Sequence, residues 1–445
     1  MHGAVAVDFG ASSGRYAAGR LVHGRIEFEV IRQVPHAAHE RDGKLYWDID
    51  LLLGLCREAA DYGASHFQSS TLGIDAWGVD HGFIDDAGTL IDAPVCYRDL
   101  SHLRAFESLA PHRRQLYEFT GIQHQPFNTI CQLIARLEED GSLPSRARWM
   151  ILPDLLGFLL TGEENHEVTQ ASTTQLLGLD GRWSAEAFAF AGWPVPALEP
   201  RLPGMLGGSI SDSVRLAHVG SHDTASAVCG FGALADDQLF LNVGTWSLVG
   251  ALLEEPIVSI EAEQSGFTNE RAVDGRVRFL KNIPGFYVVN RIHEELGVAS
   301  SVPEWLASAQ PVDQRIDLLH PDFFNPASMV DTCAALAGRR PASDEKWAGL
   351  TLSSLTHTIG QTPRELSRLT GRQFKSIRVG GGGSQSDPFC ESLARESGLT
   401  VLAGPAEATV LGNLAMQFLA SGQFDDVREM EEAVGRSTAI REFRP

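Results

Sequence analysis

Twice, about half a chain apart, an apolar strand runs into a tight turn of glycine and hydroxyl residues and returns as a second strand. The first copy is Ala4–Phe9, the turn Gly10-Ala11-Ser12-Ser13-Gly14 and a strand from Arg15 to Leu21. The second is Gln238–Val243, the turn Gly244-Thr245-Trp246-Ser247 and a strand Leu248–Leu253. Gly/Ser clusters between β-type runs signal hairpins, and repetition of one such unit suggests a duplicated fold. Compact domains hold roughly 100–200 residues, so 445 residues predict two domains, 1–231 and 232–445. No low-complexity linker separates the halves, which predicts a shared packed interface.

The remaining pattern alternates element types. Asp48-Ile49-Asp50 offers N-caps for a helix carrying Leu51, Leu52, Leu55 and Ala59 on one face, ending near Gly63. A strand is expected at Thr71–Asp75, and Asn128 caps a helix that stops at Gly141. Later come a strand Ser376–Val379, four glycines Gly380–Gly383, and a helix capped by Ser386 or Asp387 with Pro388 in its first turn. A strand Leu399–Ala403 and a helix from about Thr409 to Leu419 follow. This is α/β alternation.

Charge and composition narrow the function. The chain is 43% hydrophobic, too much for a disordered polymer. Its net charge of −21 excludes a general nucleic-acid binder and a protein that docks on anionic lipid. It does not exclude a phosphorylated small molecule, which backbone amides can hold. Only four lysines occur, Lys44, Lys281, Lys346 and Lys375. The six cysteines form no C-x-x-C pair, and the chain opens on no signal-peptide pattern. A cytoplasmic protein with buried free thiols is expected.

Three turns are candidate phosphate cradles: Gly10–Arg15, Gly244-Thr245 and Gly380–Gly383. None matches the Walker pattern or the Rossmann G-x-G-x-x-G. In the first, Ser12, Ser13 and Arg15 add donors, while Asp8 ends the strand at the same place. An acid beside a phosphate cradle makes sense if a magnesium ion lies between them. Ser221-His222-Asp223-Thr224-Ala225-Ser226-Ala227-Val228 places an acid at the start of a small-residue helix. Phosphoryl transfer to an alcohol needs a carboxylate that accepts the hydroxyl proton. Asp223 has that chemistry, and a helix N-terminus would keep it ionised; the plain alternative is an N-cap aspartate.

These pieces, in this order, resemble the FGGY carbohydrate kinases. The matching segments include Val5–Arg15, Gly73–Asp80, Tyr97–Asp99, Pro126–Thr129 and Thr169–Leu176. Ser221–Val228, Gly244–Leu248, Lys281–Ile283 and Gly404–Asn413 complete the set. The resemblance implies two ribonuclease-H-like α/β domains of the actin, hexokinase and heat-shock ATPase type, with a catalytic cleft between them. It implies ATP phosphates at Ala11, Ser12, Ser13, Gly14, Arg15 and Thr245, nucleotide contacts at Asn290 and Gly381, and magnesium organised by Asp8. Asp223 would be the base, and Gly78, His222, Asp223, Thr224 and Asn282 would line the sugar site. The implied reaction is ATP-dependent phosphorylation of a ketose, L-rhamnulose giving its 1-phosphate in L-rhamnose catabolism. The alternatives are L-fuculose, L-ribulose or a quorum-signal sugar, or a nucleotide-regulated ATPase without a sugar substrate. Three positions depart from the family pattern: Asn290 where Gln is usual, Arg271-Ala272 where two glycines are usual, and Val34-Pro35-His36 in place of Phe-x-Asn.

Overall fold

Both hairpins form, and each seeds its own sheet. The computed structural model describes residues 2–141, 147–244, 246–323 and 326–445. The chain divides into two units. The first gathers Met1–Ala233, Leu253–Phe279 and Thr409–Ser437; the second gathers Leu234–Leu252, Leu280–Ala408 and Thr438–Pro445.

In the first unit the strands are β1 (His2–Phe9), β2 (Ser13–Val22), β3 (Arg25–Pro35), β4 (Ser69–Ala76), β5 (Met205–Ser209) and β6 (Val214–His218). Their order is β3–β2–β1–β4–β6–β5. β1 is antiparallel to β2 and parallel to β4; β4 is parallel to β6, and β5 closes the edge antiparallel. From Ala4 to Val7 β1 is apolar because both its faces are covered. Val5, Val7 and Phe9 point to the helix Ile49–His66, with Leu52, Leu55, Cys56 and Ala59. Ala4 and Ala6 point the other way, to Val410, Leu411, Leu414 and Phe418 of the helix Ala408–Ala420. The period of two along the strand thus assigns its residues to two separate cores.

Two details of this unit differ from the sequence expectation. Asp48 caps the first helix as expected, its Oδ1 accepting from Leu51 N at 3.0 Å, but the helix runs on past Gly63 to His66. A Cβ at Gly63 would lie 2.6 Å from Ser70 Oγ of β4, so this glycine permits helix–strand approach instead of ending the helix. Asn128 precedes the helix Thr129–Asp140 without capping it by its side chain. Its Nδ2 instead donates to Gln123 O at 2.8 Å and Gln175 Oε1 at 3.0 Å.

The second unit repeats the plan. Its strands are β7 (Gln238–Val243), β8 (Trp246–Leu253), β9 (Val277–Pro284), β10 (Ser376–Gly380), β11 (Thr400–Ala403) and β12 (Arg441–Phe443). β9 passes from the first unit to the second after Phe279. The order is β9–β8–β7–β10–β11–β12, and a seventh strand, Phe267–Arg271, lies beyond β9. β7 is antiparallel to β8 and parallel to β10, β10 is parallel to β11, and β12 is antiparallel to β11. From the hairpin to β5 in one sheet and to β12 in the other, the pairing senses are identical. That is the duplication the two hairpins signal. All six cysteines are buried and free, and no described helix is long and apolar enough to cross a membrane.

Candidate active site

Strand register brings two acids together at one end of the first sheet. Asp8 on β1 stands opposite Arg15 on β2 and beside Asp75 on β4. Arg15 donates from Nε and Nη2 to Asp8 Oδ2 at 2.9 and 2.7 Å. Asp75 is wholly buried. Its Oδ2 accepts from Asn413 Nδ2 at 2.5 Å, and its Oδ1 has no protein partner. Burial and the charge of Asp8 push the Asp75 carboxyl well above the ordinary range; the Asn413 hydrogen bond opposes this and Asp223 adds to it. The turn between β1 and β2 is closed by Gly10 N donating to Ser13 O at 3.0 Å, and Ser12 O accepts from His36 N at 3.0 Å. Ser12 is exposed, Ala11, Ser13 and Arg15 are half-buried, and Gly14 is buried in β2. A Cβ at Gly14 would lie 2.6 Å from the Phe9 ring, so packing requires that glycine.

The loop that carries the candidate base is pinned to the same sheet end. Ala76 N donates to Ser221 O at 2.9 Å, and Gln170 Nε2 donates to the carbonyls of Ala76, Trp77 and Ser221, each at 3.0 Å. Buried Glu167 holds Ser221 through its N and Oγ at 3.1 and 2.6 Å, and Thr169 Oγ1 accepts from His222 N at 3.1 Å. Gly78 follows Trp77 here; a Cβ at Gly78 would meet Thr173 at 3.1 Å. His222 occupies the N-cap position of the helix Asp223–Cys229, which makes Asp223 its first residue and not its cap. Thr224 Oγ1 donates to Asp223 Oδ1 at 3.1 Å, and His222 Nε2 lies 3.4 Å from the same oxygen. Burial raises the Asp223 carboxyl above its ordinary range, His222 pulls it back, and Asp8 raises it again. The side chain keeps 27% of its surface exposed, so the rise is smaller than at Asp75. Here burial and a like charge outweigh the helix terminus, which was expected to favour ionisation.

The second unit gathers its own set. Thr245 lies outside the described residues. Gly381, at φ +76°, rests against the end of β7: a Cβ there would lie 2.6 Å from Val243 O and 3.0 Å from Asn242 Oδ1. The helix Phe286–Leu296 begins with Phe286 N donating to Gly244 O at 3.2 Å, and Asn290 is exposed on that helix. The β7–β8 turn, the glycine turn after β10 and the start of the Asn290 helix therefore converge. Asn282 is half-buried on β9, while its neighbour Lys281 is buried in an ion pair with Glu365.

Sequence reasoning missed four residues around the first-unit site: Asp75, Glu270, Arg278 and Asn413. Two of them carry a signal in the sequence, being charged residues inside apolar strands, Asp75 after Leu72-Gly73-Ile74 and Arg278 between Val277 and Phe279. Among the described residues no three acids, histidines or cysteines converge as a ready-made metal cage. The unpartnered Asp75 oxygen and the mutual repulsion of Asp8, Asp75 and Asp223 nonetheless suit a divalent cation held partly by phosphate.

Residues 239–421 match the model of the "FGGY family of carbohydrate kinases, C-terminal domain". A rhamnulokinase of Enterococcus faecalis is 35% identical over 452 residues, covering 95% of this chain and 90% of that one. The chain belongs to the FGGY family of carbohydrate kinases. A second relative, a rhamnulokinase of Bacillus subtilis, is 32% identical and covers 99% of this FGGY kinase and 95% of its own length. Among solved structures, ligand-bound xylulose kinase from Lactobacillus acidophilus superposes with a TM-score of 0.83 at 15% identity, covering 100% of this chain and 94% of that one. Plasmodium falciparum glycerol kinase with ADP gives 0.78 at 13% identity, covering 99% and 94%. The FGGY kinase therefore has the two-sheet fold of the actin and hexokinase type and is an ATP-dependent carbohydrate kinase.

Proposed function

We propose that this kinase transfers the γ-phosphoryl group of ATP to the 1-hydroxyl of L-rhamnulose, with Asp223 as general base. The observation that carries the reading is the placement of Asp223. It opens a helix on a loop pinned to the sheet end, is gripped by Thr224 and faced by His222, and has a carboxyl raised by burial and Asp8. A base raised in this way accepts a proton more readily than a solvated carboxylate. The ketose is suggested by the two relatives named rhamnulokinase, at 35% and 32% identity over nearly the whole chain.

In this reading Gly78, His222, Thr224 and Asn282 contact the ketose. The turn Ala11–Arg15 and Thr245 receive the phosphates, Asn290 and Gly381 the rest of the nucleotide. Residues 1–231 supply the base and most sugar contacts, residues 232–445 the nucleotide contacts beyond the Ala11–Arg15 turn, and the enzyme works in the cytoplasm. The hydroxyl oxygen attacks the γ-phosphorus, the bond from phosphorus to the ADP oxygen breaks, and the hydroxyl proton passes to Asp223. Bound magnesium would neutralise charge on the transferring phosphates, with Asp8 and Asp75 the acids placed to hold it. Arg15 donates twice to a single Asp8 oxygen, Oδ2.

The test is ADP release across a panel of ketoses, with mass spectrometry of the product, repeated with Asp223→Ala. L-rhamnulose should give the highest kcat/KM and a 1-phosphate. The variant should lose about 10²–10⁴-fold in kcat while still binding ATP. A flat response across the panel, or near-normal turnover by the variant, refutes the reading.

A further inference from the structure

One wholly buried cation lies behind the His222 ring. The Arg278 side chain is 0% exposed. Its Nε donates to Arg271 O at 2.9 Å, which fixes the plane of the guanidinium. Its Nη2 stands 3.0 Å from Glu270 Oε2 and 3.0 Å from His222 Nδ1. Glu270 Oε2 is in turn 3.3 Å from the same Nδ1. On the far side of the ring, His222 Nε2 lies 3.4 Å from Asp223 Oδ1.

Nδ1 is therefore contested. A guanidinium has five N–H donors, no acceptor, and never loses its charge in a protein. A nitrogen that faces it must offer a lone pair. A carboxylate accepts only, and a nitrogen that faces it must offer a proton. Two facts favour the arginine. It is the nearer group, and its Nη2 meets hydrogen-bond geometry with Nδ1, whereas the Glu270 oxygen, 3.3 Å from the ring, makes no hydrogen bond to it. Burial opposes ionisation of Glu270, but the Arg278 charge outweighs it, so Glu270 stays an anion that neutralises Arg278. A proton on Nδ1 would set two N–H groups against each other at 3.0 Å in a region closed to water, where an unmatched polar contact is costly.

We propose that Arg278 fixes the tautomer of His222: it donates to Nδ1, confines the ring proton to Nε2, and presents His222 to the sugar as a hydrogen-bond donor beside Asp223. The second half rests on the reading above, in which His222 and Asp223 face the ketose. Arg278 is a positioning residue and touches no substrate. Its effect is to settle where the ketose proton goes. Nε2 already carries a hydrogen and Nδ1 is occupied, so the imidazole has no vacant lone pair, and Asp223 receives the proton alone.

The direct test is nitrogen NMR of ¹⁵N-histidine-labelled full-length protein at pH 7.5, with His222 assigned by loss of its peaks in His222→Gln. In the wild type, Nε2 should show the protonated, pyrrole-like shift and Nδ1 the bare one. A ring protonated on Nδ1, or on both nitrogens, overturns the proposal whatever the enzyme phosphorylates. Arg278→Met strands Glu270 as an unpaired buried anion, so Arg278→Met/Glu270→Gln is the working variant, and Arg278→Lys is the conservative one. The double variant should lose the single tautomer and raise the ketose KM about tenfold, the worth of one hydrogen bond. Its KM for ATP should be unchanged and its kcat should stay within about threefold. Arg278→Lys should restore most of the loss. An unchanged ketose KM in a double variant that has lost the tautomer overturns the positioning role. If the wild type shows the Nε2 tautomer but phosphorylates no ketose, the tautomer assignment stands and the functional reading fails.

Discussion

Replacing Gly412 with alanine tests how the proposed base, Asp223, is held. Gly412 lies where the helix Ala408–Ala420 crosses the helix that Asp223 opens. A Cβ at 412 would fall onto the Ser226 carbonyl oxygen, 2.8 Å from Ser226 C and 2.7 Å from Gly230 N. The obstacle is backbone on both sides, so no side-chain rotamer relieves it and one helix must move. Alanine in a helix interior is intrinsically worth about 0.5–1 kcal/mol over glycine, whereas overpacking costs about 1–3 kcal/mol or more. With rigid backbone on both sides the upper end applies, and the net loss should be about 2–3 kcal/mol. At about 2–4 °C per kcal/mol for a large domain, Tm should fall roughly 4–12 °C. Asp223 would move with its helix, and a misplacement near 1 Å costs about 100-fold in rate. The assay is a thermal melt paired with ADP release at saturating ketose. Gly435→Ala is the control: it lies within the helix Val427–Ser437 and a Cβ there meets nothing within 4 Å, so it should raise Tm. A Gly412→Ala enzyme that melts at or above the wild type, or that follows the control, refutes this packing.

Two further predictions concern buried and capping carboxylates. Asp80 accepts from the indoles of Trp47 and Trp77 at 2.6 and 2.8 Å and from Gln132 at 3.1 Å, and burial pushes its carboxyl up to about 7. Indole fluorescence should titrate with a midpoint near pH 7 and cease to do so in Asp80→Asn. Because the folded value lies above the unfolded one, the stability from this group should decline as pH rises from about 4 through 7 and be flat above. Glu295 accepts from Met329 N at 2.9 Å, Val330 N at 3.0 Å and Ser328 Oγ at 3.0 Å, capping the helix Met329–Leu336. Although burial opposes it, these bonds and Arg291 hold its carboxyl down at about 2. Glu295→Gln should cost about 1 kcal/mol in urea melts at neutral pH. The difference should vanish as pH falls through about 2, and a constant difference across that range would contradict the capping role.

What the sequence made legible is local. The hairpins were readable because glycine and serine between β-type runs set the turn without help from elsewhere. The Asp48 cap was readable because its partner, Leu51, is three residues away. What stayed hidden is settled by distant partners. Gly63 looks like a helix stop until Ser70 Oγ is placed against it. Asp75 meets Asn413 across 338 residues, and Arg278 meets His222 across 56. Asp223 was identifiable as the candidate base from its chemistry and position. The sign of its perturbation was not, because the helix terminus acts locally while the opposing burial and Asp8 field come from the assembled sheet.

The first sheet is complete within residues 1–218, yet its stability depends on segments that follow much later. The face that carries Ala4, Ala6 and Ala17 is small because it receives large side chains from the helix Ala408–Ala420. Val410, Leu411, Leu414, Met416 and Phe418 are each 2% exposed or less. At about 1.5–3 kcal/mol each, five such side chains contribute roughly 10 kcal/mol, comparable to the whole stability of an ordinary domain, about 5–15 kcal/mol. Polar contacts tie the same helix down: Gln417 Nε2 donates to Val5 O at 3.0 Å and to Asn413 Oδ1 at 2.7 Å, and Asn413 holds Asp75. A fragment ending at residue 231 would keep every strand of this sheet and lose that cover. It should bind hydrophobic dye and melt without a cooperative transition, and a peptide of residues 408–437 added in trans should restore cooperativity. The helix Asp223–Cys229 packs against the same late helix, so its packing is complete only once the chain has been made to about residue 420. A fragment 1–231 that melts sharply, near the temperature of the full chain and without the peptide, would show that the late helices are not part of the first unit's core.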